Sequence, residues 1–175
     1  MVITRPNILI TGTPGVGKST LGEEVADLLG MELVNINEMA KEQNLYDGYD
    51  DERQCHIIDE DRIIDELEEG IEEGGLVVDY HGSNFFPIRF FQAVFVLRCD
   101  NTVLYDRLAA RGYNDKKIQE NVECEIMNVL RDEAAESYDS KIVFELQNDT
   151  TEQMEKNVKT ITDWVRDRQG DTMES

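Results

Sequence analysis

Apolar residues recur along this chain in two rhythms that take turns. Short, mostly apolar runs of strand length occur at Ile8-Leu9-Ile10, Glu32-Leu33-Val34 and Leu76-Val77-Val78-Asp79, then from Ala93 to Leu97 and from Ile142 to Leu146. Between them the apolar positions fall at helical spacing. Leu21, Val25, Leu28 and Leu29 form one such set, and Ile63, Ile64, Leu67 and Ile71 a second that Gly74-Gly75 stops. Val103, Leu104 and Leu108 predict a helix from Asn101 that ends at Gly112. Ile118, Val122, Ile126, Val129 and Leu130 predict a long helix reaching about Tyr138, and Met154, Val158, Ile161, Trp164 and Val165 a closing helix from Thr151. Five strand-like runs alternating with helices predict an α/β fold, a five-stranded parallel sheet with helices on both faces. Ile36 to Gln43 reads as a helical turn or two, Leu45 to Cys55 as a loop over the site, and Phe85, Phe86, Phe90 and Phe91 around Pro87 as core packing. The reading is one domain over 1–169 with a flexible polar tail over 170–175.

The turn between the first strand and the first helix carries the chemistry. Gly12, Thr13, Pro14, Gly15, Val16, Gly17, Lys18 and Ser19 fit G-x-x-x-x-G-K-[ST] at every fixed position, and they lie in the strand, loop, helix order that the pattern requires. Glycine backbone at Gly12, Gly15 and Gly17 lets successive N–H groups turn toward a phosphate at the positive end of the next helix. Lys18 is then placed for the β- and γ-phosphates and Ser19 for Mg²⁺.

Composition narrows what else the protein does. The chain has 175 residues and 40% hydrophobic residues, enough for one domain with its own core. Its apolar runs are far shorter than the roughly 20 residues a membrane span needs, so the expectation is a soluble intracellular protein with no membrane partner. Cys55, Cys99 and Cys124 are odd in number and widely spaced, which reads as reduced core thiols. The net charge of −21 repels nucleic-acid backbones over any broad surface. Acidic residues crowd between Asp47 and Glu73, either as a solvated helix face or as a dock for a basic protein.

Asp79 closes an apolar strand on the sheet edge that bears the phosphate loop. It either holds Mg²⁺ through water or caps the following turn. His81 would project near the same edge, as a structural histidine or as one that positions or deprotonates a nucleophile. Arg89 sits among the phenylalanines, where it packs or meets a phosphate. Arg107 and Arg111 share one helix face four positions apart, and with the loop Gly112 to Lys117 they read as a lid that closes on phosphate, the alternative being surface pairing with acids.

These pieces resemble a nucleoside monophosphate kinase, and within that superfamily the adenylate kinase isoenzyme 6 family, also called coilin-interacting nuclear ATPases. The resemblance runs from about Pro6 to Trp164 and rests on GTPGVGKS at Gly12 to Ser19, LYDGY at Leu45 to Tyr49, DEDR at Asp59 to Arg62, VDYHG at Val78 to Gly82, and RGYN at Arg111 to Asn114. It implies phosphoryl transfer between ATP and AMP together with ATP hydrolysis, broad acceptor use, and a role in small ribosomal subunit maturation through a basic ribosomal protein, in nucleus and cytoplasm, as a monomer. It assigns ATP contacts to Gly12, Gly15, Val16, Gly17, Lys18, Ser19, Thr20 and Arg111, and Mg²⁺ to Ser19 and, through water, Asp79. Lys18, Asp79, His81, Arg107 and Arg111 become the catalytic set. The AMP region falls at about 35–58 with Asn35 and Lys41, Arg89 being a further substrate candidate, and the short lid at about 110–120. Asp79-Tyr80-His81-Gly82 stands where ordinary adenylate kinases carry D-G-F-P-R, which leans toward hydrolysis and keeps open an ATP-driven assembly switch. The same residues spell D-x-x-G, but no N-K-x-D follows to read guanine.

Overall fold

The computed structural model describes residues 5–53 and 55–174, with side chains through 169. Its elements are β1 (Ile8–Thr11), α1 (Lys18–Leu29), β2 (Glu32–Asn35), α2 (Ile36–Gln43), β3 (Tyr46–Asp50), β4 (Cys55–Ile58), α3 (Glu60–Glu73) and β5 (Leu76–Asp79), then a 3₁₀ turn (Ile88–Phe90), β6 (Ala93–Arg98), α4 (Asn101–Ala110), α5 (Asp115–Ile126), α6 (Val129–Ser137), β7 (Val143–Gln147) and α7 (Thr151–Glu174). The main sheet has the order β2-β5-β1-β6-β7, and every neighbouring pair is parallel. This is the architecture that the alternation of runs and helices predicts.

Side chains alternate across each strand, so one run feeds two cores. Ile8, Ile10, Val77, Phe95 and Leu97 pack under α1, α4, α5 and α7, whereas Leu9, Leu76, Val78, Val94 and Val96 pack under α2, α3 and α6. Burial on both faces explains why these strands read as continuous apolar runs rather than as alternating ones. Helix ends follow local chemistry. Asp59 accepts from Arg62 N, Asp100 from Thr102 N and Val103 N, and Asn114 from Lys117 N, each capping the helix it precedes.

The structure departs from the sequence reading in several places. The segment Leu45 to Cys55 is not a loop: β3 and β4 form a separate antiparallel hairpin, with Tyr46 opposite Ile58 and Tyr49 opposite His56. Its strands lack apolar alternation, and what stabilises them is ring contact, with Tyr46 stacked on His56 at 4.3 Å between centroids. The long helix from Ile118 is two helices, because Asn128 takes a left-handed conformation at φ 58, which asparagine tolerates better than most residues. The lid loop is shorter than Gly112 to Lys117, since Asn114 caps α5 and helix begins at Asp115. Helical backbone also continues through the tail to Glu174, Ser175 lying outside the described residues. Of the thiols, Cys99 is buried, Cys124 half-buried and Cys55 exposed.

Phe95 is 1% exposed, with Phe144 at 5.3 Å and Trp164 at 6.0 Å between ring centroids. Phe95→Ala is expected to cost about 3–5 kcal/mol in urea unfolding followed by Trp164 fluorescence.

Candidate active site

All five strands of the main sheet end at one edge, and the loop from Gly12 to Ser19 sits there between β1 and α1. Two of its glycines are forced. A Cβ on Gly12 would lie 2.6 Å from the Leu97 carbonyl oxygen, and one on Gly17 would lie 2.6 Å from Asn148 Nδ2, both at positive φ. Carbonyls of the loop are held from behind. Asn148 Nδ2 donates to Val16 O at 2.8 Å, while Arg107 Nη1 donates to Gly15 O at 3.4 Å and Val16 O at 3.3 Å. The opening N–H groups of α1, which no helix can satisfy internally, are left for an anion.

Lys18 rests on the same loop, its Nζ donating to Gly12 O at 2.8 Å and Thr13 O at 3.2 Å. Burial lowers its pKa to about 8, Asp79 opposes that shift and Arg111 adds to it, so the ammonium stays charged at neutral pH. Ser19 Oγ donates to Asp79 Oδ2 at 2.6 Å. Asn35 Nδ2 donates to that same oxygen at 2.9 Å, and Asn35 Oδ1 accepts from Glu38 N as the cap of α2. The register aligns these groups, since both Ile10 and Asn35 are the sheet partners of Asp79. A hydroxyl and a carboxylate that is 3% exposed form a hard oxygen pair of the kind that suits a hydrated Mg²⁺, with the Asn35 NH₂ holding the carboxylate in place.

His81 follows at the end of β5. Thr11 Oγ1 donates to its carbonyl at 2.8 Å, and its ring lies 4.2 Å from that of Tyr80. Burial, and then the Lys18 charge, push its pKa down to about 4, leaving the imidazole neutral at pH 7.

Two cavities flank the loop. The larger, of about 690 Å³, is lined by Lys18, Ser19, Asn35, Asp79, His81 and Arg111, by Asn37, Tyr46, Arg53 and His56 from α2 and the hairpin, and by Tyr113, Lys117 and Asn121 across from them. The smaller, of about 360 Å³, lies between Gly15, Gly17, Thr20, Arg107 and the stretch Asn148 to Met154. Arg111, at the C-terminal end of α4, lines both. Lys18, Arg53, Arg111 and Lys117 stand against Asp50, Glu60 and Asp79 in this cleft, a slight cationic excess in a strongly acidic protein.

The sequence candidates divide accordingly. Lys18, Ser19, Asp79, His81, Arg111 and Asn35 meet in the larger cavity, and Thr20 opens on the smaller one. Val16 is fully buried and offers the site only its backbone. Arg107 shares a face with Arg111 as its spacing requires, but it is not a lid cation: its Nη2 donates to Asp149 O at 3.0 Å and its Nη1 to the loop carbonyls. Arg89 is outside the site, pairing with Glu68 of α3 at 2.6 Å, and Lys41 is exposed on α2 and lines neither cavity. Sequence reasoning missed Arg53 and His56, which depended on recognising the hairpin. It also missed Lys117, Asn121 and Glu125, whose spacing on one helix face was the available signal.

From residue 8 to residue 128 the chain matches the protein family described as an AAA domain. It is 52% identical over 159 residues to the adenylate kinase isoenzyme 6 homolog of Caenorhabditis elegans, covering 90% of this chain and 87% of that protein. It is 50% identical over 162 residues to the homolog of Drosophila melanogaster, covering 93% of each. The chain belongs to the adenylate kinase isoenzyme 6 family. Among solved structures it is similar to a shikimate kinase from Acinetobacter baumannii in complex with shikimate, with a TM-score of 0.63 at 19% identity, covering 94% of this chain and 95% of that one. It also resembles a gluconokinase from Sinorhizobium meliloti 1021, with a TM-score of 0.54 at 13% identity, covering 93% and 96%. These two share the fold of the isoenzyme 6 family member described here, a P-loop domain of nucleoside monophosphate kinase type, and at such identities nothing further.

The neutral state of His81 can be measured. Its imidazole resonances are expected to stay in the neutral position from pH 8 down to about 5, then move near pH 4. The unfolded chain takes up this proton near pH 6.5 and the folded chain only near 4, so this group's contribution lowers stability as pH falls through that window. His81→Gln should flatten that part of the stability profile.

Proposed function

We propose that this protein transfers the γ-phosphoryl group of ATP to AMP or another nucleoside monophosphate, and that it also hydrolyses ATP. The observation that carries this reading is the pair of cavities on either side of one phosphate loop, joined at Arg111. Adenosine of ATP occupies the smaller cavity between Arg107 and the stretch after β7, the triphosphate runs along the loop, and the monophosphate enters the larger cavity from the hairpin side. Asn35, Arg53 and Lys117 take the acceptor role that the sequence divided among Asn35, Lys41 and Arg89. Ser19, and Asp79 through water, would hold Mg²⁺, which would supply charge neutralisation to the phosphates.

Catalysis in such a site is positioning and charge neutralisation. Lys18 and Arg111 meet the charge that spreads over the transferring group, and Arg107 acts by holding the loop that Lys18 stands on. Transfer to AMP uses a phosphate oxygen that is already anionic and needs little help from a base. Hydrolysis must recruit water, and His81 is the group available for it. With a pKa near 4 it is a weak proton acceptor, so its work is to accept a hydrogen bond and aim the water rather than to remove a proton fully.

A second reading is favoured by the net charge of −21: an ATP-driven assembly switch that binds and releases a basic small-subunit ribosomal protein, with transfer to monophosphate incidental. Residence in nucleus and cytoplasm, and a monomeric state, belong to the same family-based proposal.

Lys18→Ala is expected to abolish transfer and hydrolysis and to lower the melting temperature, because Gly12 O and Thr13 O lose their donor; turnover by the folded variant within a few-fold of wild type would remove Lys18 from the mechanism. His81→Ala tests the role given to His81. AMP-independent hydrolysis should fall about tenfold, short of the roughly 10²-fold or more that full proton transfer contributes, while transfer to AMP falls much less, with both rates measured on one preparation. Equal loss of both with a lowered melting temperature would assign His81 to the scaffold.

A further inference from the structure

The mechanism above leaves one buried charged group unused. Glu125, on α5, is 4% exposed, and its two carboxylate oxygens serve different partners. Oε2 accepts from Arg98 Nε at 3.0 Å and from the Cys99 backbone N–H at 2.8 Å, both at the end of β6. Oε1 accepts from Thr13 Oγ1 at 2.9 Å, inside the phosphate loop. We propose that Glu125 is a positioning residue for phosphoryl transfer: through Thr13 it fixes the crest of the phosphate loop and the resting place of Lys18, and it ties α5 to both. The proposal rests on the kinase reading above.

The contacts form a continuous chain. Thr13 is fully buried, its hydroxyl spent on Glu125, and its carbonyl accepts from Lys18 Nζ at 3.2 Å and Val16 N at 3.3 Å. Moving Thr13 therefore moves the peptide that seats Lys18. On the other side, Lys117 and Asn121 precede Glu125 on the same face of α5 at successive turns, and both line the larger cavity. One carboxylate thus sets the distance between the cleft wall and the loop. A scaffold function alone would need only Oε2. Arg98 is already engaged by Glu145 Oε1 at 3.0 Å, by Asn128 Oδ1 at 2.7 Å and by the Glu125 carbonyl at 3.0 Å. A carboxylate accepts on both oxygens at once, whereas a glutamine amide must turn its NH₂ toward one set of donors.

The link can be cut without touching the ion pair. Thr13→Val removes the hydroxyl at nearly constant volume, and Thr13→Ser keeps it. The measurement is the dissociation constant of the ATP analogue AMPPNP with Mg²⁺, by calorimetry, for wild type, T13V, T13S, E125Q and the T13V/E125Q double variant, with thermal unfolding of each. We expect T13V to weaken AMPPNP binding about tenfold, T13S to restore it, and the double variant to bind no worse than the weaker single. Three outcomes would overturn the proposal: T13V binding within twofold of wild type, losses that multiply in the double variant, or lowered melting temperatures with unchanged AMPPNP affinity. If E125Q does not fold, T13V against T13S decides alone. A wild-type protein that fails to bind AMPPNP overturns the kinase reading itself, and this proposal with it.

Discussion

A loop that points its N–H groups at a ligand must have its carbonyl groups bound elsewhere, and that requirement organises this structure. Buried carbonyls without partners would cost more than the loop could return. Val16 O takes Asn148 Nδ2, Gly15 O takes Arg107 Nη1, and Gly12 O and Thr13 O take Lys18 Nζ. The donors come from the turn after β7, from α4 and from α1, so the ends of distant elements have to converge on eight residues. A parallel sheet with the order β2-β5-β1-β6-β7 achieves this by placing β1 at its centre and every strand's carboxyl end on one side.

Charge is arranged against the overall balance. The chain carries −21, yet the larger cavity sets Lys18, Arg53, Arg111 and Lys117 against Asp50, Glu60 and Asp79. A cleft with a slight cationic excess inside an acidic shell favours a small polyanion that enters it over a long one lying on the surface. The same setting explains the titration of the two central bases. Burial pushes both Lys18 and His81 down, but Lys18 keeps Asp79 as a counter-ion, whereas for His81 the Lys18 charge adds to the cost of protonation.

Much of this was legible in the sequence because it depended on period and spacing. Apolar runs identified the strands of the main sheet, the phosphate pattern identified the loop, and a carboxylate at the end of β5 pointed to Asp79. What was not legible depended on conformation at single residues or on long-range partners. Asn128 breaks a helix that the apolar period carries straight through, and its left-handed backbone is compensated by a bond from Arg98 that no local pattern announces. Arg107 and Arg111 share a face as predicted, but spacing gives a direction and not a partner, and only the folded chain brings Gly15, Val16 and Asp149 to Arg107. The hairpin was missed because Tyr46 to Asp50 has the composition of a loop; its pairing is stabilised by aromatic contacts across strands that sequence periodicity does not register.

That hairpin also divides the molecule mechanically. Two strands alone are marginal in water, and β3 and β4 form a sheet of their own, joined to the body where Asp59 N bonds Leu45 O and Arg62 Nη1 bonds Asn44 O. The wall behind the phosphate loop, by contrast, is anchored in two dense cores. Local opening is cheap where few buried contacts resist it. One wall of the cleft thus stands on the cores of the sheet, and the other, with Arg53 and His56, on a two-stranded ribbon that meets the body where Tyr46 and Ile58 pack at the edge of one core.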